Sequence, residues 1–211
     1  MPFTERFLNA KHWQLFTLMI GLPIIVQFGS MIAMFASAVN ATNEPPLFVM
    51  PAYIILIIMV SILSGATTFG WVWSIASGLQ EKIPNGITMK FKKFKTFYLI
   101  AMGYMLLIIL SSLIFIPISM QPDFVPSAAV TGILLLLFIP LHFLAIFGIF
   151  YGLYFAAKTL KTIESNKEVE FSEFIGEFLM LWFSFIGVWI IQPKINKLVN
   201  QEPEEENAYI L

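Results

Sequence analysis

Four long stretches of the chain contain no charged side chain, and this feature limits the possible folds more than any other. Each stretch exceeds the roughly 20 residues that an α-helix needs to cross a lipid hydrocarbon core. The composition, 58% apolar and 12% charged, is typical of proteins that cross a membrane several times. We therefore predict an all-α polytopic membrane protein with four transmembrane helices. The predicted spans are at about residues 13–39, 51–79, 97–119 and 127–157.

The basic residues indicate how these helices are oriented. All twelve lysine and arginine residues lie before the first span, between the second and third, or after the fourth. The other two connections contain Glu44 and Asp123 as their only charged residues. Because basic residues are retained on the cytoplasmic side, both termini are predicted to be cytoplasmic. The first apolar stretch is too long for a cleavable signal peptide, so we expect it to remain as a span.

A fifth apolar segment, Phe178 to Ile191, is fourteen residues long and therefore short for a span. If it crossed the membrane, Lys194 and Lys197 would be the only basic residues on the outer side. We predict a re-entrant or interfacial segment instead, with Gly187 allowing a bend. The predicted organisation is a four-helix transmembrane domain, this segment and an acidic, disordered tail, at residues 1–171, 172–198 and 199–211.

Spans two and four share a sequence pattern, at residues 69–78 and 147–156. We interpret the chain as two similar transmembrane hairpins in the same orientation. In both copies small residues recur every four positions, so they lie on one helix face where another helix can approach closely. We expect span two to pack on span four through these faces, with self-association as the alternative. The predicted packing residues are Gly70, Ser74, Gly78, Gly148, Gly152 and Ala156.

Polar side chains within the spans form a candidate intramembrane site. Apart from tyrosines, His142 is the one ionisable residue deep inside a span, and such residues are costly in a bilayer. We expect it to bond to Gln27 or to a carbonyl freed by Pro140, with proton handling as the alternative. Hydroxyl groups on span two are expected to bond between helices or to line a small wet cavity. The candidate site comprises Gln27, Ser64, Thr67, Thr68 and His142.

Several classes of function are disfavoured by what the sequence contains. We find no catalytic motif and no pair of carboxylates within the spans, so we do not expect an enzyme. The chain has no cysteine, and a single intramembrane histidine makes no metal site, so no cofactor or metal is predicted. A net charge of −1 provides no basic field for nucleic acid. The strip Lys90 to Lys95 is expected to orient membrane insertion, with binding of a lipid headgroup or a partner as a second hypothesis.

Near its end the chain carries the sequence Phe185-Ile186-Gly187-Val188-Trp189-Ile190-Ile191-Gln192-Pro193-Lys194-Ile195-Asn196. This segment resembles a signature, P-I-G-[IV]-W-x-x-Q-P-[RK]-[IL]-N, of small uncharacterised multi-pass membrane proteins of Bacteroidota. Phe185 stands where the first proline is usual. The resemblance covers about a dozen residues. It implies a bacterial inner membrane and a terminal element that is not an ordinary span, and it implies no activity.

From these features we expect a non-enzymatic membrane subunit or scaffold that binds other membrane helices or cytoplasmic proteins. The alternative is a homo-oligomeric pore or a small-solute channel or transporter, with the polar side chains facing the passage. The absence of acidic residues from the spans argues against an ion-coupled transporter. The expected partners are membrane lipid and either further copies of the chain or another membrane protein, and no nucleic acid.

Overall fold

The computed structural model describes residues 3–40, 49–119, 121 and 123–200. The secondary structure of this part is helical, with four long apolar helical segments and a bent helix pair that follows them. This confirms the predicted all-α polytopic membrane fold. The helices are α1 (Phe3–Leu8), α2 (His12–Phe16), α3 (Leu22–Asn40), α4 (Val49–Gly78), α5 (Phe91–Ser119), α6 (Ala128–Ser165), α7 (Phe171–Trp182) and α8 (Ser184–Asn200).

The four segments that can cross a membrane match the four predicted spans. The helices extend further than predicted at two ends: α5 begins at Phe91 rather than near residue 97, and α6 continues to Ser165 rather than ending near residue 157. Both extensions contain lysines, which the search for uncharged windows excluded. The acidic tail predicted at 199–211 lies outside the described residues except for its first two positions, which belong to α8.

The first spanning segment contains a local change of helix type. Helices α2 and α3 are joined by one π-helical turn, Thr17–Gly21. Pro23 follows this turn and has no N–H to donate to the carbonyl of Met19 four residues earlier. The hydroxyl of Ser64 in α4 donates to that carbonyl instead, at 2.5 Å. A hydrogen bond from the second spanning segment therefore satisfies the backbone of the first.

The described chain divides into two compact units, the first formed by residues up to 87 and from 156 onward. In the first unit the buried core side chains of α4 lie toward its end, between Thr67 and Ala76. Helix α1 contacts both α4 and α8, and α8 also contacts α2 and α7. Ion pairs join the end of α6 to α7 and α8. Large members of this core are Trp71, Ile75, Leu79, Leu160, Phe174 and Ile191. In the most apolar part of each of the four spanning segments, only 11% to 22% of the residues are buried. Most of the spanning surface is therefore free to face lipid or other helices.

The second unit, residues 88–155, consists of α5 and most of α6. The two helices approach closely at Gly148, where an added methyl carbon would lie 2.5 Å from the backbone oxygen of Phe97. At Gly152 the same carbon would overlap the ring of Tyr98. Glycine is required at both positions because any side chain would separate the helices.

The small-residue face of α4 has a neighbour that the sequence did not name. A methyl group at Gly70 would lie 2.7 Å from the ring of Phe7, and one at Gly78 would lie 2.8 Å from Leu8. Both neighbours belong to α1, and Ser74 between the two glycines is fully buried. The face of α4 at Gly70 and Gly78 is therefore packed by α1, and the expected packing of span two on span four stays a prediction. Helix α1 is short and carries two charges, so a search for spans overlooks it as a packing element.

Helices α7 and α8 are bent by 119° relative to each other. The break falls at Phe183, four residues before the glycine that was expected to allow the bend. Gly187 has another role: a methyl group there would overlap the backbone carbonyl of Met180. It therefore permits the first turn of α8 to pass directly against the last turn of α7.

Candidate functional site

A buried amide, Gln192 of α8, joins three separate segments of the first unit. Its side chain is 0% exposed, and its Oε1 accepts a 2.7 Å hydrogen bond from the indole Nε1 of Trp71 in α4. Its Nε2 donates to the carbonyls of Phe7, Leu8 and Ala10, at 3.0, 3.2 and 2.9 Å. An indole N–H can only donate, so the amide oxygen must face Trp71 and the amide nitrogen must face the N-terminal segment.

The carbonyls that Gln192 binds have a physical reason to need it. A helix of six residues, such as α1, leaves its last carbonyls without partners inside the helix. Asn196, one helical turn after Gln192, adds a 2.7 Å hydrogen bond from Nδ2 to the carbonyl of Leu8. The two amides of α8 thus cap the end of α1. A buried polar network with satisfied partners fixes one arrangement of its elements.

Other residues of the Phe185–Asn196 segment pack the same region. The indole of Trp189 lies against His12 and Phe16, with ring centroids 4.7 and 5.3 Å apart. Ile191 and Ile195 are fully buried. Sequence reasoning interpreted this segment as part of a re-entrant or interfacial element and as a resemblance, and it assigned no contact to Gln192 or Asn196. The available signal was a pair of amides four residues apart in a largely apolar segment, a spacing that puts both on one helix face.

Next to this amide pair in α8, a network of ion pairs connects α6, α7 and α8. The carboxylate of Glu177, a residue only 8% exposed, lies 3.5 Å from Lys161 Nζ and 3.3 Å from Lys194 Nζ. Glu164 also pairs with both lysines, at 3.1 and 3.3 Å. A carboxylate this deeply buried needs cationic partners to offset its loss of hydration. Because Lys194 reaches Glu164, the chain has turned back to the end of α6 by that point.

Helix α7 presents charge inward and apolar side chains outward. Its buried residues are Phe174, Glu177 and Leu181. Its most exposed large side chains are also apolar and recur at helical spacing: Phe171, Ile175, Leu179 and Trp182. In a water-soluble protein the outward face is polar, so this distribution is typical of a helix in contact with lipid.

The polar residues predicted to form an intramembrane site are satisfied largely by the backbone. The hydroxyls of Thr67 and Thr68 donate to Leu63 and Ser64, one turn earlier, at 2.7 and 2.9 Å. Ser64 donates to Met19, as described above, and so links two spanning segments. Gln27 is exposed. Ser64 therefore bonds between helices as expected, whereas the two threonines bond within α4.

His142 belongs to the second unit and bonds to a residue that sequence reasoning did not assign to it. Its Nδ1 lies 2.9 Å from the hydroxyl of Tyr104 in α5. Tyr104 is buried, whereas His142 is exposed. Sequence reasoning proposed Gln27 or a freed backbone carbonyl as the partner. The tyrosine lies 38 positions away on another helix, and no local pattern connects the two.

Within the described residues, no group of three or more acidic or histidine side chains is arranged to hold a metal ion. No protein-family model, curated protein or solved structure matches the chain. The resemblance of the Phe185–Asn196 segment to a Bacteroidota signature therefore stays a prediction.

Proposed function

We propose that the protein is a non-enzymatic integral membrane subunit or scaffold that binds other membrane helices or cytoplasmic proteins. The observation that carries this proposal is a set of open glycines, one in each spanning segment. An added methyl carbon at any of them would find no atom within 4 Å. Glycine exposes the helix backbone, and in membranes such positions serve for close approach of another helix. The four open positions are Gly29, Gly65, Gly103 and Gly132.

The polar groups at membrane depth support a structural role over a catalytic one. The hydroxyls of Ser64, Thr67 and Thr68 are engaged by backbone carbonyls, and His142 is paired with Tyr104. A catalytic site needs a nucleophile next to a base, or an acid next to a base, directed at a substrate. Hydroxyls bound to backbone carbonyls are poorly suited to such chemistry.

We propose that both termini are cytoplasmic and that the protein resides in a bacterial inner membrane. Contacts within the first unit support the orientation. Lys82, after α4, donates to the carbonyl of Leu198, and Asn196 donates to Leu8, while Lys194 pairs with Glu164. The N-terminal segment and the ends of α4, α6 and α8 thus meet at one end of the first unit. The positive-inside rule predicts that these connections lie on the same side of the membrane. The choice of membrane rests on the signature resemblance alone.

We propose that the α7–α8 pair dips into the cytoplasmic leaflet instead of crossing the bilayer. The outward face of α7 is apolar, and the bend continues this surface through Phe183, Phe185 and Ile186, which are about half exposed. The ion pairs of Glu177 and the return of Lys194 to the end of α6 support a re-entrant path. Apolar side chains in the leaflet with charges at the membrane surface satisfy the energetics of both environments.

The scaffold proposal is tested by adding bulk at an open glycine. Gly65→Leu leaves the fold of one chain intact because the position is open, but it prevents another helix from approaching the backbone there. The matched control is Ala66→Leu, which adds a side chain of the same kind at the neighbouring exposed position. The variants are purified in mild detergent, and native mass spectrometry measures how many copies of the chain and which partner proteins are retained. We expect loss of a partner with Gly65→Leu and retention of it with Ala66→Leu. The same leucine substitution is then made at Gly29, Gly103 and Gly132. Full retention with all four glycine variants would contradict the proposal.

A further inference from the structure

Four lysines lie within six residues at the start of α5, at positions 90, 92, 93 and 95. All four side chains are exposed. No acidic residue occurs between Glu81 and Asp123, so the sequence nearby offers no counter-charge. Among the residues that the structure describes, none forms an ion pair with these lysines. The strip is therefore a concentrated, uncompensated positive charge on a chain whose net charge is −1.

Four lysines of the first unit behave differently. Lys158, Lys161, Lys167 and Lys194 each pair with a glutamate. Between residues 158 and 197 the sequence contains five lysines and five glutamates, so its charge is balanced. Topogenic signalling requires only that lysines be present. The contrast in pairing therefore distinguishes the α5 strip from lysines that stabilise the fold.

Aromatic residues between the lysines hold the strip in place. Phe94 is fully buried and stacks on Tyr98 and Phe155, with ring centroids 5.1 and 4.8 Å apart. Phe91 stacks on Phe94 at 5.8 Å. The alternation of anchored phenylalanines and exposed lysines attaches the charges to a rigid surface, which reduces the entropy lost when they bind an anion.

The position of the strip determines which anions it meets. Residues 91–119 form one continuous apolar helix that can cross a membrane, so its charged first turns must lie at the edge of the hydrocarbon. At about 1.5 Å per helical residue, the five steps from Lys90 to Lys95 extend for about 8 Å, comparable with the layer of lipid headgroups on one side of a bilayer. We therefore expect the ammonium groups to lie level with lipid phosphates.

We propose that the strip of Lys90, Lys92, Lys93 and Lys95 is a binding site for anionic phospholipid headgroups. The ammonium groups supply the counter-charge to the headgroup phosphates, and Phe91 and Phe94 fix them at headgroup depth. This inference is independent of the scaffold proposal, because it concerns lipid at the surface of α5 and requires no protein partner.

The experiment measures lipid preference on the full purified chain. Equal amounts of dioleoyl phosphatidylglycerol and dioleoyl phosphatidylcholine are added to protein in mild detergent, and native mass spectrometry counts the lipids of each kind retained. We expect the wild type to prefer phosphatidylglycerol. Replacing the four lysines with glutamine should lower the ratio of the two lipids at least about tenfold. Replacement by arginine, which keeps the charge, should preserve the preference. The double variant K11Q/K197Q removes two exposed charges elsewhere and serves as a matched control for K92Q/K93Q, which should lower the ratio.

Equal retention of the two lipids by the wild type would overturn the proposal, and so would an unchanged preference in the glutamine variant. If that variant fails to insert, salt dependence of the wild type decides. Raising sodium chloride from about 0.05 M to about 0.5 M should reduce the phosphatidylglycerol preference through screening, and an unchanged preference would overturn the proposal. Inorganic phosphate at matched ionic strength should not displace the lipid, and full displacement would indicate a site for free anions.

Discussion

The indole of Trp71 and the side-chain amide of Gln192 form a buried hydrogen bond of 2.7 Å between residues 121 positions apart. The Nε2 of the same amide donates to the carbonyls at and just after the end of α1. A spanning helix, the N-terminal segment and the C-terminal helix are therefore joined by one side chain. This arrangement explains why the core of the first unit lies at one end of α4.

Removal of this amide should destabilise the fold. Gln192→Leu leaves the indole N–H of Trp71 buried without its acceptor and removes a donor from the carbonyls at and after the end of α1, so we expect a loss of about 3 kcal/mol in the free energy of unfolding. Gln27→Leu, the same change at an exposed position, should alter it by less than about 0.5 kcal/mol. Thermal unfolding in detergent, followed by circular dichroism, compares the two. Equal effects would show that the buried amide is not a structural centre.

The close approach of α8 to α7 depends on one missing side chain. Gly187→Ala puts a methyl group into the carbonyl of Met180 and should cost about 3 kcal/mol, because backbone must move to accommodate it. Gly176→Ala, in the open part of α7, should be neutral or stabilise by up to about 1 kcal/mol through helix propensity. Limited proteolysis of the α7–α8 pair and the melting temperature report both effects. A tolerated alanine at 187 would contradict the described bend.

The ion network should depend on Glu177 more than on any exposed glutamate. Glu177→Gln removes the charge shared by Lys161 and Lys194 in a buried setting and should cost about 2 kcal/mol. Glu168→Gln breaks a single pair whose carboxylate side chain is 67% exposed, so we expect less than about 0.5 kcal/mol. The free energy of unfolding of both variants, measured at low and high salt, distinguishes the two ion pairs. The exposed pair should lose its contribution in salt while the buried one keeps most of its own.

The hydroxyl of Ser64 should matter because of Pro23. Ser64→Ala leaves the carbonyl of Met19 without its donor, and we expect a loss of about 1 kcal/mol. Ser61→Ala, one turn earlier in α4 at an exposed position, is the matched control and should be nearly silent. Steric trapping or thermal unfolding in bicelles gives the comparison. If the two alanine variants are equally stable, the hydroxyl contributes nothing to joining the first two spanning segments.

The spanning helices were predictable because a charge within the hydrocarbon is costly, so uncharged windows mark them directly. The helix that packs on the glycine face of α4 could not be predicted, because α1 has only six residues, includes Glu5 and Arg6, and gives no apolar signal. The hydrogen bonds of Gln192 join residues from three distant segments, and no local sequence pattern predicts these contacts. Ser64 was recognised as a polar group between helices, but its link to Pro23 becomes visible only when α3 and α4 lie side by side.

The two glycine faces illustrate a second limit. Gly70 and Gly148 occupy equivalent places in the sequence pattern of spans two and four, yet the first packs against Phe7 of α1 and the second against Phe97 of α5. The pattern correctly marks positions where a backbone is approached closely. Which element approaches depends on topology, and the short helix α1 has no counterpart named by the repeat.

The most direct test of the account is the native mass of the wild-type chain, extracted from its own membrane with minimal detergent and measured together with what it retains. A scaffold with open glycines in all four spanning segments predicts a stoichiometric complex, with further copies of the chain or with another protein. A single chain carrying lipid alone, across extraction conditions that keep its fold, would contradict it.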